Sequence, residues 1–511
     1  MIGTLDRALG RVTTYRLVWT TLTALLLVAV CYSAAGLIFF SPLEIIATAA
    51  IAVVATVGAT YAVSRLVRRP AHLESSIITG LLIAFLLFPT SEPQALLVVA
   101  LVGVVAAVSK YVLVWRGRHL FNPAAVAVLL VALVQGLLAD TPLAGSLTAA
   151  AWVLPTGVMW PWVLVGSLLV VARVRRWAVF VVFVVVASAV SVQQSLQGGL
   201  ELGAALTSVL TAYPFVFAGA FMLTEPLTLA PRRSQQLIIA VVAALLASVP
   251  FHLGVLYASP ELGLVVGNAL AFAFAYRQRR SHALQLTSSR TLAPGIAEYR
   301  FRSSVPLHFE PGQWLELDLP HRADRRGSRR TFSVSSAPRE GEIAIALRMP
   351  EKASSFKRTL AALEPGSTLR ATSIGGDFVL PTDPSVPLLL VAGGIGITPF
   401  ASQLRSLAEG PRRDVVVVVA APSLEDVAYR DLLEESGARV VLRSRETPSS
   451  LPDGWSHVTG RLTAEVLADA VPDAGRRVGY VSGSPSFVDA VRGALRGAGA
   501  KRIRTDAFPG Y

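Results

Sequence analysis

The sequence predicts a multi-domain membrane protein: about ten transmembrane α-helices arranged as two repeats of five, then a small antiparallel β-barrel, then an α/β domain built on a parallel sheet. Three observations predict it. Hydrophobic residues make up 53% of the 511 and charged residues only 15%, a balance far from that of ordinary soluble domains. The apolar excess is confined to residues 17 to 276, and the rest of the chain mixes charged and apolar residues as water-soluble domains do. Within that remainder, short alternating strands punctuated by Gly and Pro from Leu284 to Leu380 give way to a buried strand that breaks into glycines at Leu388–Gly396. The expected boundaries are 1–276 for the membrane part, 277–283 for a charged linker, 284–384 for the barrel and 385–511 for the α/β domain.

Apolar runs long enough to be read as spans lie near 17–40, 42–64, 75–89, 94–115, 121–138, 148–172, 177–195, 204–223, 235–257 and 260–276, the third, fifth and tenth being short. Met1 to Arg16 is basic and precedes an apolar run with no small-residue cleavage site, which predicts a retained first helix. Basic residues fall in alternate loops: Arg7, Arg11 and Arg16; Arg65, Arg68 and Arg69; Lys110, Arg116 and Arg118; Arg173, Arg175 and Arg176; Arg232 and Arg233; Arg277, Arg279 and Arg280. The other five loops hold Glu44, Glu92, Asp140, Glu201 and Glu261 and no Lys or Arg. Ten spans in the cell (inner or plasma) membrane, with both termini and the soluble part cytoplasmic, are therefore expected. Much of the +13 net charge is then topological, and no nucleic-acid partner is expected. The lone cysteine, Cys31, excludes a disulfide or an all-cysteine iron–sulfur cluster within the chain.

The ten segments read as five repeated once. Ser76-Ile-Ile-Thr-Gly-Leu through Phe88-Pro-Thr-Ser-Glu-Pro93 is echoed by Pro214-Phe-Val-Phe-Ala-Gly through Phe221-Met-Leu-Thr-Glu-Pro226, and Phe121-Asn-Pro by Val266-Gly-Asn268. An odd number of helices per half inverts the second half, as in many carriers. Thr79, Asn122, Thr224, Glu225 and Asn268 are the polar residues at matching depths, and intramembrane polar groups are functional candidates; the alternative is that they cap helices or bond their own backbone. With Ser75-Ser-Ile-Ile-Thr-Gly, Phe121-Asn-Pro-Ala-Ala125 and Phe221-Met-Leu-Thr-Glu-Pro226, residues from about 15 to 276 resemble the RnfD/NqrB family, membrane components of the Rnf complex and of the sodium-pumping NADH:quinone reductase. That family carries covalent FMN on a threonine of a Ser/Thr-Gly-Ala-Thr motif after the fifth helix. Here the loop reads Asp140-Thr-Pro-Leu-Ala-Gly-Ser-Leu-Thr148, and Gly58-Ala59-Thr60 lies inside the second helix. The resemblance thus implies a second flavin held non-covalently among the helices, and partner proteins in the membrane.

In the soluble part the leading motif is Arg329-Arg-Thr-Phe-Ser-Val-Ser-Ser336. On a strand, Arg330 can clamp a phosphate, Phe332 can lie on a flat ring, and Ser333 can bond its edge, with Thr331 and Ser336 as further cofactor-binding candidates; the same pattern also suits an edge strand with a basic flank. Ser354 and Ser355 open a predicted helix where hydroxyls and free N–H groups suit a pyrophosphate, or simply cap it. Gly393, Gly394 and Gly396, ahead of Thr398 and Pro399, would let the backbone approach a dinucleotide, although glycine turns at strand–helix junctions are also purely structural. A strand at Val415–Val419, a helix near Glu425–Glu434 and a strand at Val478–Ser482 complete the sheet.

Together with Pro311-Gly-Gln-Trp314, Gly375-Gly-Asp-Phe378, Ser482-Gly483-Ser484-Pro485 and Phe508-Pro-Gly-Tyr511, these motifs resemble the ferredoxin-NADP reductase superfamily from about Ala283 to Tyr511. The resemblance implies FAD, or FMN in its place, in the barrel and NADH or NADPH in the α/β domain. Ser482 stands where a cysteine is frequent beside the nicotinamide, and Tyr511, or Phe508, would cover the flavin where nicotinamide lands. Ser333 and Tyr511 are then the residues expected at the reacting ring. Arg443, Ser444 and Arg445 suit a 2'-phosphate or a solvated strand end.

The function expected is a membrane-bound flavin-dependent NAD(P)H oxidoreductase. It would pass electrons from NAD(P)H through FAD to a membrane flavin, a quinone or a redox-protein partner, with or without ion translocation. A haem-type ferric reductase or NAD(P)H oxidase would need paired intrahelical histidines, and the apolar segments offer His252, with His72 and His119 near loops. A small-solute or ion carrier regulated by the reductase is the reading from another class.

Overall fold

The structure is a computed structural model that describes residues 14–67, 71–115, 118–137, 157–226, 228–276, 282–321, 324, 328–351 and 353–508. It forms two compact units that divide between Tyr276 and Arg277.

In the first unit, helices stand at every position where the sequence has an apolar run: Thr14–Ala34, Pro42–Leu66, Leu73–Leu86, Pro93–Val112, Pro123–Leu137, Trp160–Val174, Trp177–Gln197, Leu202–Ala212 continued by Phe215–Leu223, Arg233–Ser248 and Pro260–Ala275. Among the described residues, their lengths bear out part of the expected ten spans. Thr14–Ala34, Pro42–Leu66, Pro93–Val112 and Trp177–Gln197 are long and apolar enough to cross a membrane, and a fifth span results if the pair bent by 49° at Tyr213-Pro214 is counted as one. Two of the shorter helices, Leu73–Leu86 and Arg233–Ser248, end just ahead of a proline, which cannot continue a helix. Arg233–Ser248 ends ahead of Pro250, and His252, expected inside a span, lies exposed on a hairpin of β3 (His252–Leu253) and β4 (Leu256–Tyr257) turned at Gly254 with φ 60°. A smaller hairpin of β1 (Val114–Trp115) and β2 (Arg118–His119) follows Val112.

Packing in the second half follows that of the first. Pro42–Leu66 packs on Pro93–Val112 as Trp177–Gln197 packs on Arg233–Ser248, and in each half the fourth helix packs on the fifth. Leu73–Leu86 is buried from Thr79 onward, as a helix apolar all round must be. Its approach to Pro42–Leu66 is backbone to backbone, because a Cβ on Gly80 would lie 2.6 Å from the Val53 Cα.

The second unit contains two six-stranded sheets. The first is antiparallel, in the order β8 (Arg329–Ser333), β7 (Trp314–Asp318), β10 (Thr368–Gly375), β5 (His282–Ala293), β6 (Ile296–Ser303), β9 (Glu342–Arg348). Its two ends meet at the bridge of Val334 to Ile345 and at the Ser335 N–H donating to the Ala344 carbonyl at 2.8 Å, so that the small barrel expected is an antiparallel six-stranded sheet whose edges touch there. Leu286, Phe301, Leu315, Leu317, Ile345 and Phe356 form its core. The second sheet is parallel, in the order β14 (Trp455–Val458), β13 (Arg439–Arg443), β12 (Val415–Ala420), β11 (Leu388–Gly393), β15 (Val478–Gly483), β16 (Ile503–Ala507), with an apolar cluster on each face. The continuous runs Leu388–Ala392 and Val415–Val419 are those of strands covered on both faces. The helix expected near Glu425–Glu434 occupies Arg430–Glu435, its start fixed by Tyr429 in the left-handed region, φ 60° and ψ 33°.

The helix contact at Gly80 makes a paired expectation. Gly80→Ala should destabilise the helical unit by about 1–3 kcal/mol through overpacking, whereas Gly58→Ala, whose new Cβ meets nothing within 4 Å, should be neutral. Thermal stability of the two variants in detergent, followed by size-exclusion chromatography, distinguishes them.

Candidate functional site

The parallel sheet winds from β11 through β12 and β13 to β14 on one side, then returns to β15 and β16 on the other. The crevice at such a reversal, beyond the carboxyl ends of the strands, is where open α/β sheets bind ligands. Here it lies between Gly393 of β11 and Gly483 of β15. Of the three glycines, Gly394, with φ 54°, is the one that faces open space. A Cβ on Gly393 would strike the Phe487 ring, and one on Gly396 would strike the Ser482 carbonyl. Those two serve strand packing, and Gly394 leaves its backbone open. Helix Thr398–Ala408 starts immediately after, with Pro399 in its first turn and the Thr398 hydroxyl donating to the Ile395 carbonyl at 3.0 Å. Ser484 caps the helix after β15, accepting from the Phe487 N–H at 3.4 Å.

On the antiparallel sheet, β8 pairs with β7 so that Ser333 sits opposite Trp314 and Phe332 opposite Leu315. Strand alternation puts Arg330 and Phe332 on one face. There the Arg330 guanidinium lies 5.4 Å over the Phe356 ring, and Phe332 packs 5.8 Å from the same ring. Arg330 is buried, and pairs with the Asp324 carboxylate at 3.4 Å. The Ser355 N–H donates to that same carboxylate at 3.0 Å. A guanidinium and a backbone amide thus converge on one anion position, a charge-assisted arrangement that suits a phosphate oxygen as well as a carboxylate. The Ser355 hydroxyl accepts from the Asp324 N–H at 2.9 Å and lies 2.9 Å from His321 Nε2, while Ser354 accepts from the Lys357 N–H. Thr331 is exposed. Ser336 is turned inward: fully buried, it accepts from the Ala344 N–H at 3.0 Å through its hydroxyl and from Ser402 Oγ at 2.7 Å through its carbonyl.

The two sheets meet at polar side chains that no sequence motif joins. Ser482 and Asp506 are register partners on β15 and β16, and the backbone N–H of Phe508 donates to the Gly483 carbonyl at 2.9 Å. Burial, then the neighbouring Asp377 carboxylate, push the Asp506 carboxyl up to about 7 against the opposing influence of Ser333, although Asp506 keeps part of its surface open to solvent. Ser333 Oγ approaches Asp506 without reaching hydrogen-bond geometry, and both it and Ser482 Oγ are buried without a partner. Unsatisfied buried hydroxyls at a crevice are a cost a ligand edge would remove. Asp506 was invisible in sequence because its partners come from three distant segments. Phe508 is the terminal aromatic residue the structure fixes beside Gly483; Tyr511 lies outside the described residues. At the end of β13, Ser444 is buried and lies 2.8 Å from His457 Nε2, whereas Arg445 is exposed.

In the helical unit three of the five polar candidates come together. The Asn122 N–H donates to Asn268 Oδ1 at 2.8 Å, and Asn122 Nδ2 donates to Glu225 Oε2 at 3.1 Å. Thr79 and Thr224 instead bond their own helices, at the Ser75 and Ala220 carbonyls. Lys110, expected as a loop charge, is corrected: it is buried in helix Pro93–Val112, donates to the Ser75 carbonyl at 3.0 Å, and is electrostatically coupled to Glu225. Among the described residues no group of His, Cys, Asp and Glu is placed to hold a metal.

Residues 390–493 match the family model of the oxidoreductase NAD-binding domain. The crevice between β11 and β15 lies within that match, and together with its NAD(P)H-oxidoreductase relatives it makes the chain an NAD(P)H-dependent flavin oxidoreductase. A ferredoxin–NADP reductase B of Sorangium cellulosum is 33% identical over 224 residues, which is 42% of this chain and 90% of the relative. Through this unit the chain belongs to the ferredoxin–NADP reductase family. A flavohemoprotein of Oceanobacillus iheyensis is 28% identical over 204 residues, and the chain spans 48% of its length. Among solved structures, the FAD/NAD-binding domain of a nitric oxide dioxygenase from Vibrio cholerae aligns with 44% of this chain and 98% of its own, at 18% identity and a TM-score of 0.39.

The Asp506 carboxyl gives a pH dependence with a definite sign. Its folded pKa, about 7, stands above the roughly 3.9 of an unfolded aspartate, so the folded state holds a proton that the unfolded state releases between those values. The associated stability is fully present below about pH 4 and is lost as pH rises through 7. Asp506→Asn should therefore melt higher than the wild type at pH 8 and about equally at pH 4, measured by calorimetry in matched buffers.

Proposed function

We propose that this protein takes electrons from NADH or NADPH on its reductase unit and delivers them to an acceptor in or at a membrane, with FAD, or FMN in its place, as the intermediary. The observation that carries this reading is the convergence of two half-sites: β8 with its anion position, and the β11–β15 crevice, meeting at Ser333, Ser482 and Asp506. The residues present fit a flavin, because the Arg330–Ser355 pair already holds a carboxylate and Ser333 Oγ is buried without a partner. When bound, a flavin accepts hydride from nicotinamide and releases electrons singly.

Arg330 and the Ser355 amide hold the flavin phosphates, displacing the Asp324 carboxylate. Phe332 limits the ring's position from one side, Thr331 contributes at the exposed edge, and Ser333 bonds the ring edge. Gly394, with Thr398 and Pro399 behind it, receives the nucleotide pyrophosphate, and Gly483 and Ser484 flank the nicotinamide. Asp506, with its carboxyl raised toward 7, would hold a proton next to Ser333, and Phe508, bonded to the Gly483 carbonyl, would stand beside the ring.

The helical unit is proposed to be RnfD/NqrB-like, with the basic loops and the reductase unit on the cytoplasmic side. Its buried Asn122–Glu225–Asn268 cluster with Lys110 is the candidate for a second, non-covalent flavin or another acceptor, since paired intramembrane charges are retained for function. A quinone or a partner redox protein is the final acceptor.

Two assays on the purified full chain test this. Both NAD(P)H-driven reduction of a lipid-soluble quinone and of ferricyanide should be observed. Arg330→Ala should abolish both, because stranding a phosphate charge costs on the order of 2–5 kcal/mol, or roughly a hundredfold or more in flavin affinity. Full flavin retention by this variant after gel filtration would show the phosphate position to be misassigned. Ferricyanide reduction without reduction of any membrane acceptor would restrict the activity to the reductase unit.

A further inference from the structure

Helix Thr398–Ala408 belongs to the nucleotide half by its start and to the flavin half by its flank. Its first turn follows the Gly394 turn. Further along, three side chains reach the antiparallel sheet and its exit loops. Ser402 Oγ donates to the Ser336 carbonyl at 2.7 Å, Gln403 Nε2 donates to the Phe378 carbonyl at 2.7 Å, and Arg405 NH1 donates to the Ser335 carbonyl at 3.3 Å. Ser335 and Ser336 lie two and three residues beyond Ser333, and Phe378 follows Asp377. The acceptors are thus the backbone that leaves the flavin strand and the backbone that carries one of the two facing carboxylates.

Arg405 is the centre of this contact. Its guanidinium also pairs with Glu340 at 3.4 Å and with Glu298 at 3.7 Å, and lies 5.4 Å over the Tyr429 ring. Glu298, on β6, is fully buried among Arg290 at 2.7 Å, Arg300 at 3.2 Å and Arg405. Burial alone would raise its carboxyl, but the Arg290 hydrogen bond and the three arginine charges hold it below the ordinary value. Tyr429 reaches the cluster from the loop after β12, in a left-handed conformation that a residue with a Cβ enters only when its surroundings impose it. Glu298, Ser335 and Tyr429 are buried together there, with the Tyr429 hydroxyl directed at the other two and Glu298 Oε1 3.7 Å from Arg405. A network kept for stability alone would be satisfied and unstrained. This one holds a carboxylate fully buried and a tyrosine in the left-handed region, which is geometry retained at a cost.

We propose that Arg405, gripped by Glu298 and Tyr429, is a positioning residue for hydride transfer: it fixes the backbone after Ser333 to the helix that carries the nucleotide turn, and so sets the distance from nicotinamide to flavin. It touches neither. The inference rests on the reading that NAD(P)H reduces a flavin in this unit. Transfer between two rings requires near-contact geometry, and misplacement of about 1 Å costs on the order of a hundredfold. One helix bonded to both half-sites is the shortest mechanical link that can hold such a distance.

The test is anaerobic stopped-flow reduction of the flavin-loaded full chain by NADH and NADPH, with the nicotinamide C4 hydrogen light or deuterated. Arg405→Met should keep flavin content, melting temperature and nucleotide dissociation constant within about twofold to threefold of wild type, while the hydride-transfer rate falls about 10- to 100-fold and the isotope effect changes. Arg405→Lys should recover part of the rate, and Glu298→Gln should reproduce the loss. A transfer rate within about twofold of wild type in a normally folded Arg405→Met protein overturns the proposal, as does a loss that tracks lost flavin or lowered melting temperature. Should Arg405→Met not fold, Ser402→Ala, which removes one hydrogen bond to the same backbone, must slow transfer with flavin retained, and a normal rate there overturns the proposal equally. Failure of wild-type flavin to be reduced by either nucleotide would instead sink the underlying reading.

Discussion

On the function proposed, the reductase unit answers to one constraint: two flat rings, one for each sheet, must be brought into contact distance. A parallel sheet offers its crevice where the strand order reverses, and an antiparallel sheet offers the end of an edge strand. Here β11 and β15 supply the first, and β8, the edge strand of its sheet, supplies the second. Ser333, Ser482 and Asp506 mark the place where they meet. The backbone contacts of Ser402, Gln403 and Arg405 hold the two sheets to that geometry. The close backbone approach at Gly396 and Ser482 serves the same end, because any larger residue would part β15 from the helix after the turn.

The local features were legible in the sequence. Arg330, Phe332 and Ser333 are neighbours on one strand; the Gly393–Pro399 turn and the Ser484 cap are contiguous; and strand alternation fixed which of these side chains share a face. Features that only tertiary contact creates were not legible. Asp506 becomes interesting because β16 pairs with β15 and because Asp377 arrives from a different loop. Arg405 and Glu298 are far apart in the chain and read in isolation as ordinary surface charges. The three glycines look equivalent in sequence, and only the packing partners, Phe487 and Ser482, separate two structural positions from the one that faces a ligand. Ser336 fits the motif but spends its hydroxyl on the sheet.

The helical unit shows the same division. Apolar runs located the described helices of this unit, but hydropathy counts residues that a proline or a glycine turn removes from the helix, so among the described residues four helices, or five with the bent pair, are long enough to cross a membrane. The spacing of Asn122, Glu225 and Asn268 at matching points of two halves did lead to a cluster. Lys110 was hidden by the rule that assigns basic residues near a helix end to a loop; its partner, the Ser75 carbonyl and hydroxyl, lies on another helix. A buried lysine near a half-buried glutamate is costly to keep.

The account's central claim is that a nicotinamide and a flavin meet at Ser333, Ser482 and Asp506. The most direct measurement is an anaerobic titration of the purified, flavin-loaded full chain with NADH and with NADPH, followed by flavin absorbance and the long-wavelength charge-transfer band of stacked rings. The account predicts bleaching of the flavin by one of the two nucleotides with a charge-transfer band that weakens in Asp506→Asn and Ser333→Ala. Bleaching that leaves the band and the rate untouched in both variants would contradict it.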